Sequence, residues 1–367
     1  MKKIIIILGV TGGHIFPGIS IANNLKKINK EIDILFINSS NSKIVIPKLR
    51  IDYELVEIDS LGFKGKSPLS KIKSILLLIK SIFQSNKIIN QFRADAIIGT
   101  GGFVSLPVCL CGYLRGIKTF IIEGNSVPGL ANKIISIFCE NIFINFEESQ
   151  KYLPKKKCIQ TGYPIRDFNL INHNNKKNDL LILGGSQGSE SLNTKILFTI
   201  QNLLEKISGN STKNNERFSI VHQTGSKDKE RVDNFYKNLK DKYAFLEIET
   251  FEFINNLEDF YSNSRVLVSR AGASTISESL RFNVLSIFIP IKDSTNNHQY
   301  LNAVELFNKK LAEIHLESEK NTILCNKIIN FLYNGEISSV YVKSKKKIID
   351  NSQTAAEKIC KKILETA

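Results

Sequence analysis

Short apolar runs alternate with longer amphipathic segments along most of this chain. Ile4–Leu8, Ile32–Ile37, Ala96–Ile98, Lys118–Ile122 and Asn141–Ile144 are nearly unbroken apolar stretches. A strand covered on both faces reads as a continuous run and not as an alternation, so these predict a buried parallel sheet. Ile19–Ile28, Ser70–Gln91 and Leu130–Phe138 have the length and spacing of its helical crossovers. After Asp167 the chain turns polar and Asn-rich over Asn172–Asn178, as a linker does. A second strand series follows at Leu180–Leu183, Phe218–His222, Phe245–Ile248, Val266–Val268 and Val284–Ile289. Two tandem βαβ series predict an α/β protein of two Rossmann-like, doubly wound parallel-sheet domains. Such sheets bind ligands beyond the carboxyl ends of their strands, which predicts a site in a cleft that the two domains face. The expected boundaries are residues 1–163, residues 164–343, and a helical tail over 344–367 that packs back on the first domain. Lys345-Lys346-Lys347 gives that tail a solvated look.

Composition changes this picture little. The chain has 367 residues, 42% of them hydrophobic and 23% charged, which is ordinary for two folded domains. Its formal charge of +15 favours anionic partners without choosing among nucleic acid, lipid and phosphorylated substrates. The six cysteines show neither CxxC nor zinc spacing and read as free, mostly buried thiols. Met1–Val10 imitates a signal peptide, but the apolar run is short and Thr11-Gly12-Gly13-His14 follows it, so a buried first strand is expected. No stretch approaches the roughly 20 apolar residues that span a bilayer.

Three glycine clusters follow predicted strands: Gly9 to His14, Gly99-Thr100-Gly101-Gly102, and Gly184-Gly185-Ser186-Gln187-Gly188. Glycines let the backbone approach a ligand closely, and the helix that follows points its free amides at an anion. Three such turns point to phosphate contacts. A nicotinamide-binding domain fits poorly, because the first turn departs from GxGxxG and the second strand ends in Asn38-Ser39-Ser40 without an acidic residue for the ribose. Gly184-x-Ser186-x-Gly188 also matches the nucleophile elbow of serine hydrolases, with Asp293 and His298 downstream. That alternative leaves His14 and the other glycine turns without a task. A non-catalytic sugar-nucleotide-binding module is the third reading.

Seven motifs occur in one order from about residue 4 to about residue 305. They are Thr11-Gly12-Gly13-His14-x-x-Pro17-Gly18, Gly101-Gly102-Phe103-Val104-Ser105, Glu123-Gly124-Asn125, Gly162-x-Pro164-x-Arg166, Gly184 to Gly188, Ser269-Arg270-Ala271-Gly272-Ala273, and His298-Gln299-x-x-Asn302. In this order the chain resembles the MurG family of peptidoglycan N-acetylglucosamine (GlcNAc) transferases, glycosyltransferase family 28, whose fold is GT-B. Val10, Gly124, Ser189 and His298 depart from that family's usual residues. The resemblance implies inverting transfer of GlcNAc from UDP-GlcNAc to the 4-hydroxyl of undecaprenyl-pyrophosphoryl-MurNAc-pentapeptide, without a cofactor. A related GT-B enzyme acting on diacylglycerol is the nearest alternative. By motif, Ser186 and Arg166 are expected near the donor pyrophosphate, with Gln187 and Gly188 beside them. Ala273, Ser274, Thr275, Ile276, Ser277 and Glu278 are expected along the nucleotide and sugar, Glu278 on the ribose. Ile254 is expected beside uracil, and Gln299, with His298 and Asn302 nearby, at the GlcNAc hydroxyls. Thr11, Gly12, Gly13 and Asn125 are expected to face the transferred sugar.

Displacement at the anomeric carbon needs a base, and histidine is the side chain whose ordinary pKa suits that task near neutrality. His14 is the candidate general base. No DxD-like pair sits beside the glycine turns, so no metal site is expected, and helix amides with Arg166 are expected to stabilise the leaving group. His222, at a strand end, reads as structural, and His173 and His315 as surface or packing residues. Finally, Lys71 to Phe83 is unusually apolar for a surface helix and is surrounded by lysines. With a lipid-linked substrate implied, Ile75, Ile79, Ile82 and Phe83 are read as a patch that meets an anionic membrane surface, not nucleic acid. The expected location is peripheral, on the cytoplasmic face of the plasma membrane.

Overall fold

The computed structural model describes residues 2–9, 11–40, 53–60, 68–166, 176–185, 187–209, 217–349 and 353–366, with the side chains of 68–75 and 347–349 outside that set. Val10, Ser186 and His173 lie outside the described residues, as does the side chain of Ile75. The chain forms two compact units, one of Met1–Asp167 with Gln353–Ala367 and one of Phe168–Ser352.

The first unit runs β1 (Lys3–Ile7), α1 (Gly12–Ile28), β2 (Asp33–Ser39), β3 (Glu54–Ile58), α2 (Pro68–Phe92), β4 (Ala96–Gly99), α3 (Ser105–Leu114), β5 (Lys118–Glu123), α4 (Leu130–Ile135), β6 (Asn141–Ile144) and β7 (Cys158–Gln160). Its seven-stranded sheet has the order β3-β2-β1-β4-β5-β6-β7. Every pairing in it is parallel. The order reverses between β1 and β4, which is the switch point where doubly wound sheets bind ligands. Ile4 to Ile7 are fully buried, which accounts for the unbroken apolar run of the first strand.

The second unit runs β8 (Asn178–Leu183), α5 (Glu190–Ser208), β9 (Phe218–Gln223), α6 (Lys229–Lys242), β10 (Leu246–Phe251), α7 (Leu257–Asn263), β11 (Ser264–Ser269), α8 (Ala273–Arg281), β12 (Leu285–Phe288), α9 (His298–Asn308), β13 (Glu313–Ile314), α10 (Asn321–Tyr333) and α11 (Gly335–Ile349). Its six strands follow β10-β9-β8-β11-β12-β13, the same winding, with the switch point between β8 and β11.

Three local expectations are revised. The helix expected from Ile19 begins at Gly12, so the Gly-Gly-His segment is its first turn and Pro17 lies inside it. The tail expected as one piece over 344–367 is divided between the units. Its end, α12 (Ala355–Thr366), packs on α1 through the buried Ala356, Ile359, Cys360 and Ile363, the two isoleucines contributing about 1.5–3 kcal/mol each. Lys2 Nζ donates to the Leu364 carbonyl at 3.0 Å and fastens the end of α12. Lys345, expected in solvent, is fully buried in α11, where its ammonium donates to the Val284 carbonyl at the foot of β12. A lysine triplet looks solvated in sequence, but a helix turns one of three neighbours inward.

Candidate active site

In the first unit the end of β1 and the end of β4 build a slot for one imidazole. A Cβ placed on Gly9 would lie 2.5 Å from His14 Cβ and 2.7 Å from its Cγ. One placed on Gly101, whose φ is +115°, would lie 2.9 Å from Nε2. Both glycines are therefore required by the histidine: they vacate the space its ring fills. His14 occupies the first turn of α1, where Thr11 Oγ1 lies 3.2 Å from its Nδ1. The Thr100 hydroxyl sits 2.8 Å from the carbonyls of both Ile7 and His14 and ties the turn to the sheet. Burial holds the imidazole down to about 4, so it is neutral at pH 7 with a lone pair to offer.

The turn is also braced from the segments around Glu123 and Tyr163. Pro17 has no N–H for the Gly13 carbonyl, which lies four residues before it. The Tyr163 hydroxyl donates to that carbonyl at 2.5 Å instead. Tyr163 is buried, and burial first, then the Glu123 charge, push its phenol up. Glu123 itself is 3% exposed and accepts from the Asn125 amide at 2.8 Å, Asn132 Nδ2 at 2.9 Å and the Gly129 amide at 3.2 Å. Burial raises its carboxyl despite these donors. The Arg166 guanidinium stacks 3.8 Å over the Phe16 ring, two residues beyond His14. Thr11, Gly12, Gly13, His14, Asn125 and Arg166 thus belong to one cluster at the carboxyl end of this sheet.

The second unit repeats the plan with different chemistry. The loop after β8 turns at Gly185 and Gly188, with φ of +86° and +74°. It lies glycine on glycine against the loop after β9, where a Cβ on Gly225 would meet the Gln187 carbonyl at 2.5 Å. Arg270 closes it from the other side. Its Nε and Nη2 donate to Ser189 Oγ at 3.1 and 2.9 Å, its Nη1 donates to the Ile289 carbonyl at 3.0 Å, and Nη2 pairs with Glu317 at 2.5 Å. Ser189, one of the departures from the family pattern, therefore has a hydroxyl with a specific task. At the end of β11, α8 opens at Ala273 with no side-chain cap and no acidic residue in its first turn. The buried Ser274 hydroxyl has no hydrogen-bond partner among the described residues. An uncapped helix start with an orphaned hydroxyl suits an anionic, hydroxyl-bearing ligand.

Ile254 is 2% exposed beside this loop, and Ile276 at 1% faces the core. Thr275 and Ser277 are half-buried on α8. Glu278 is buried and accepts from the Tyr261 hydroxyl at 3.0 Å. Gln299 Oε1 accepts from the Ile291 amide at 3.1 Å, and Asn302 Nδ2 donates to the Ala271 carbonyl at 3.2 Å. His298 Nδ1 lies 2.6 Å from the Thr295 carbonyl, so a backbone oxygen holds the nitrogen that a hydrolase triad gives to its acid. His222 bonds Tyr236 and Asn193 with its two ring nitrogens and is structural. His315 is buried, neither ring nitrogen makes a hydrogen bond among the described residues although Glu319 Oε2 lies 3.4 Å from Nδ1, and burial brings it down to about 4. Among the described residues, no three His, Cys, Asp or Glu side chains converge on a point that could hold a metal ion.

On the surface of the first unit, α2 exposes Leu76, Ile79 and Phe83 by 62%, 48% and 71%. Ile82, expected among them, is half-buried and packs on the core, so Leu76 takes its place in the exposed stripe. Lys80 and Lys87 are exposed on the same helix. Among the described residues no helix is long and apolar enough to cross a membrane.

Comparison with known proteins agrees with this architecture. The glycosyltransferase family 28 N-terminal domain matches residues 4–144, and the family 28 C-terminal domain matches residues 179–361. The UDP-N-acetylglucosamine–N-acetylmuramyl-(pentapeptide) pyrophosphoryl-undecaprenol N-acetylglucosamine transferase of Thermodesulfovibrio yellowstonii is 38% identical over 344 residues, covering 90% of each chain. The protein of the same name from Geotalea uraniireducens is 36% identical over 325 residues, covering 86% of each. The crystal structure of Acinetobacter baumannii MurG superposes with a TM-score of 0.76 at 22% identity over the full length of both chains, which supports the GT-B fold. The chain belongs to glycosyltransferase family 28, and within it to the MurG family that these relatives represent.

Proposed function

We propose that the chain transfers GlcNAc from UDP-GlcNAc to the 4-hydroxyl of N-acetylmuramyl-(pentapeptide) pyrophosphoryl-undecaprenol, with inversion, giving the disaccharide lipid precursor of peptidoglycan. Wall synthesis of this kind serves cell shape and division. One observation carries the mechanistic part: a neutral imidazole held in a glycine slot at the switch point of the first sheet. With its proton on Nδ1, given to Thr11 Oγ1, His14 presents the Nε2 lone pair to the acceptor hydroxyl. Such a base contributes roughly 10²–10⁴-fold. Thr11, Gly12, Gly13 and Asn125 are the proposed contacts of the transferred sugar.

In the second unit the first turn of α8 and the glycine loop before α5 offer amides to the nucleotide diphosphate, where charge grows as the sugar leaves. Ser274 supplies a hydroxyl that has no partner among the described residues. Glu278 is the proposed ribose contact, Ile254 the uracil contact, and Gln299 the contact of the GlcNAc hydroxyls. The exposed stripe of α2, flanked by Lys80 and Lys87, supports peripheral attachment to an anionic membrane, which we place on the cytoplasmic face of the plasma membrane.

The test offers UDP-GlcNAc, UDP-glucose and UDP-galactose with a short-chain form of the lipid-linked acceptor, and identifies the linkage formed. A β-linkage at the 4-hydroxyl, from UDP-GlcNAc alone, is the expected outcome. Glycosylation of diacylglycerol in its place would overturn the acceptor reading.

A further inference from the structure

Gln223 ends β9 between β8 and β10, paired in register with Leu183 on one side and Phe251 on the other. The two neighbouring strands lead into the loops read above as the diphosphate loop, at Gly184–Gly188, and the base loop, at Ile254. The side chain is 3% exposed and uses both ends of its amide. Nε2 donates to the Gly185 carbonyl at 2.7 Å, and Oε1 accepts from the Ile254 amide at 3.0 Å. Gly185 O also accepts from the Gly188 amide at 3.0 Å, so the carbonyl that closes the glycine turn is the one the glutamine holds.

We propose that Gln223 is a positioning residue that sets the spacing between the two loops and so lets the site recognise base and diphosphate as one nucleotide. The assignment rests on the reading of the second unit as a UDP-sugar site. The chemistry suits glutamine: its side-chain amide offers a neutral donor and a neutral acceptor on two separate atoms at the end of a two-methylene stem. Asparagine is one methylene shorter and spans less. Glutamate keeps the acceptor for Ile254 but sets a carboxylate against the Gly185 carbonyl. Two loops fixed at the right separation gain affinity for a linked ligand because the linkage makes the second contact intramolecular. The same loops released bind each fragment nearly as before.

The experiment measures binding of UDP, uridine and inorganic pyrophosphate by calorimetry to the full chain and to Gln223→Met and Gln223→Glu, with steady-state kinetics alongside. In Gln223→Met, UDP affinity is expected to fall about tenfold, the equivalent of about 1.4 kcal/mol. Uridine and pyrophosphate affinities should stay within about twofold on the same scale. The KM for UDP-GlcNAc should rise by a like factor while kcat holds within about twofold, a split that a general loss of packing does not produce. Gln223→Glu keeps the Ile254 bond and serves if the methionine variant does not fold; it is expected to lose UDP affinity and keep uridine affinity. UDP affinity within about twofold of the parent in either folded variant overturns the proposal. Failure of the parent chain to bind UDP overturns instead the donor reading beneath it.

Discussion

The Tyr163 hydroxyl makes the hydrogen bond to Gly13 that the proline of the helix cannot make. Pro17 withholds the N–H that would close the ring, and a phenol from the far end of the first unit's sheet supplies the donor at 2.5 Å. Tyr163→Phe leaves the Gly13 carbonyl without that partner, which costs about 1–3 kcal/mol in chemical denaturation. Because the same bond steadies the turn of His14, kcat is expected to fall roughly tenfold, with UDP affinity of the second unit unchanged.

The glycine slot makes a sharper demand. Gly9→Ala places a methyl within 2.5 Å of His14 Cβ and must push the ring aside. Its effect on kcat should approach that of His14→Gln, roughly 10²–10⁴-fold, although alanine brings no new chemistry. The acid limb of kcat/KM should fall near pH 4, because the base acts when neutral and burial has lowered its pKa to about 4. A limb at 6.5, or a loss under tenfold in His14→Gln, would end the base assignment.

Lys345 predicts a stabilising substitution. Its ammonium is fully buried, donates to the Val284 carbonyl, lies 3.4 Å from Ser286 Oγ and feels the Lys176 charge. Burial brings it down to about 7. The unfolded chain keeps this proton up to its ordinary value while the folded chain sheds it above about 7, so the native state gains stability as pH rises between them. Lys345→Met should therefore raise the unfolding midpoint most at or below pH 7, and the gain should shrink toward pH 10. A destabilised variant at neutral pH would mean that the hydrogen bonds outweigh the desolvation.

Attachment to lipid should follow the exposed stripe of α2. Flotation with anionic vesicles is expected to drop in Ile79→Asp and Phe83→Asp, and to weaken as salt is raised, since lysine–headgroup attraction is screened. Ile82→Asp is expected to damage the fold, because its side chain packs on the core. Equal flotation of the parent and the Phe83 variant would remove the membrane role of this helix.

Turnover should survive EDTA. The leaving group is assigned to helix amides and not to a metal, and no carboxylate pair stands beside the glycine turns. Activity abolished by chelation and restored only by a divalent ion would reverse that assignment.

Much of the fold is legible in the residue pattern. Parallel strands buried on both faces must be apolar at every position, so Ile4–Ile7 and Leu180–Leu183 announce themselves. The edge strand Glu54–Ile58 does not, because it has one strand neighbour among the described residues and turns Glu54 and Glu57 to solvent. The start of α1 is hidden in the sequence because glycines and a proline carry low helix propensity, which the Thr100 and Tyr163 bonds override.

Residue order alone determined two doubly wound units, the glycine turns, and His14 as the side chain best suited to accept a proton. Tertiary structure decided what those turns do. Gly9 and Gly101 are far apart in sequence and flank the same imidazole only because β1 and β4 are neighbours; Gln223 reaches two loops only because β9 lies between β8 and β10. Burial then set the chemistry, holding His14 neutral and turning Lys345 inward. Local pattern reports which face of an element is apolar, but crossover connections choose which ends converge, and charge state follows from that convergence.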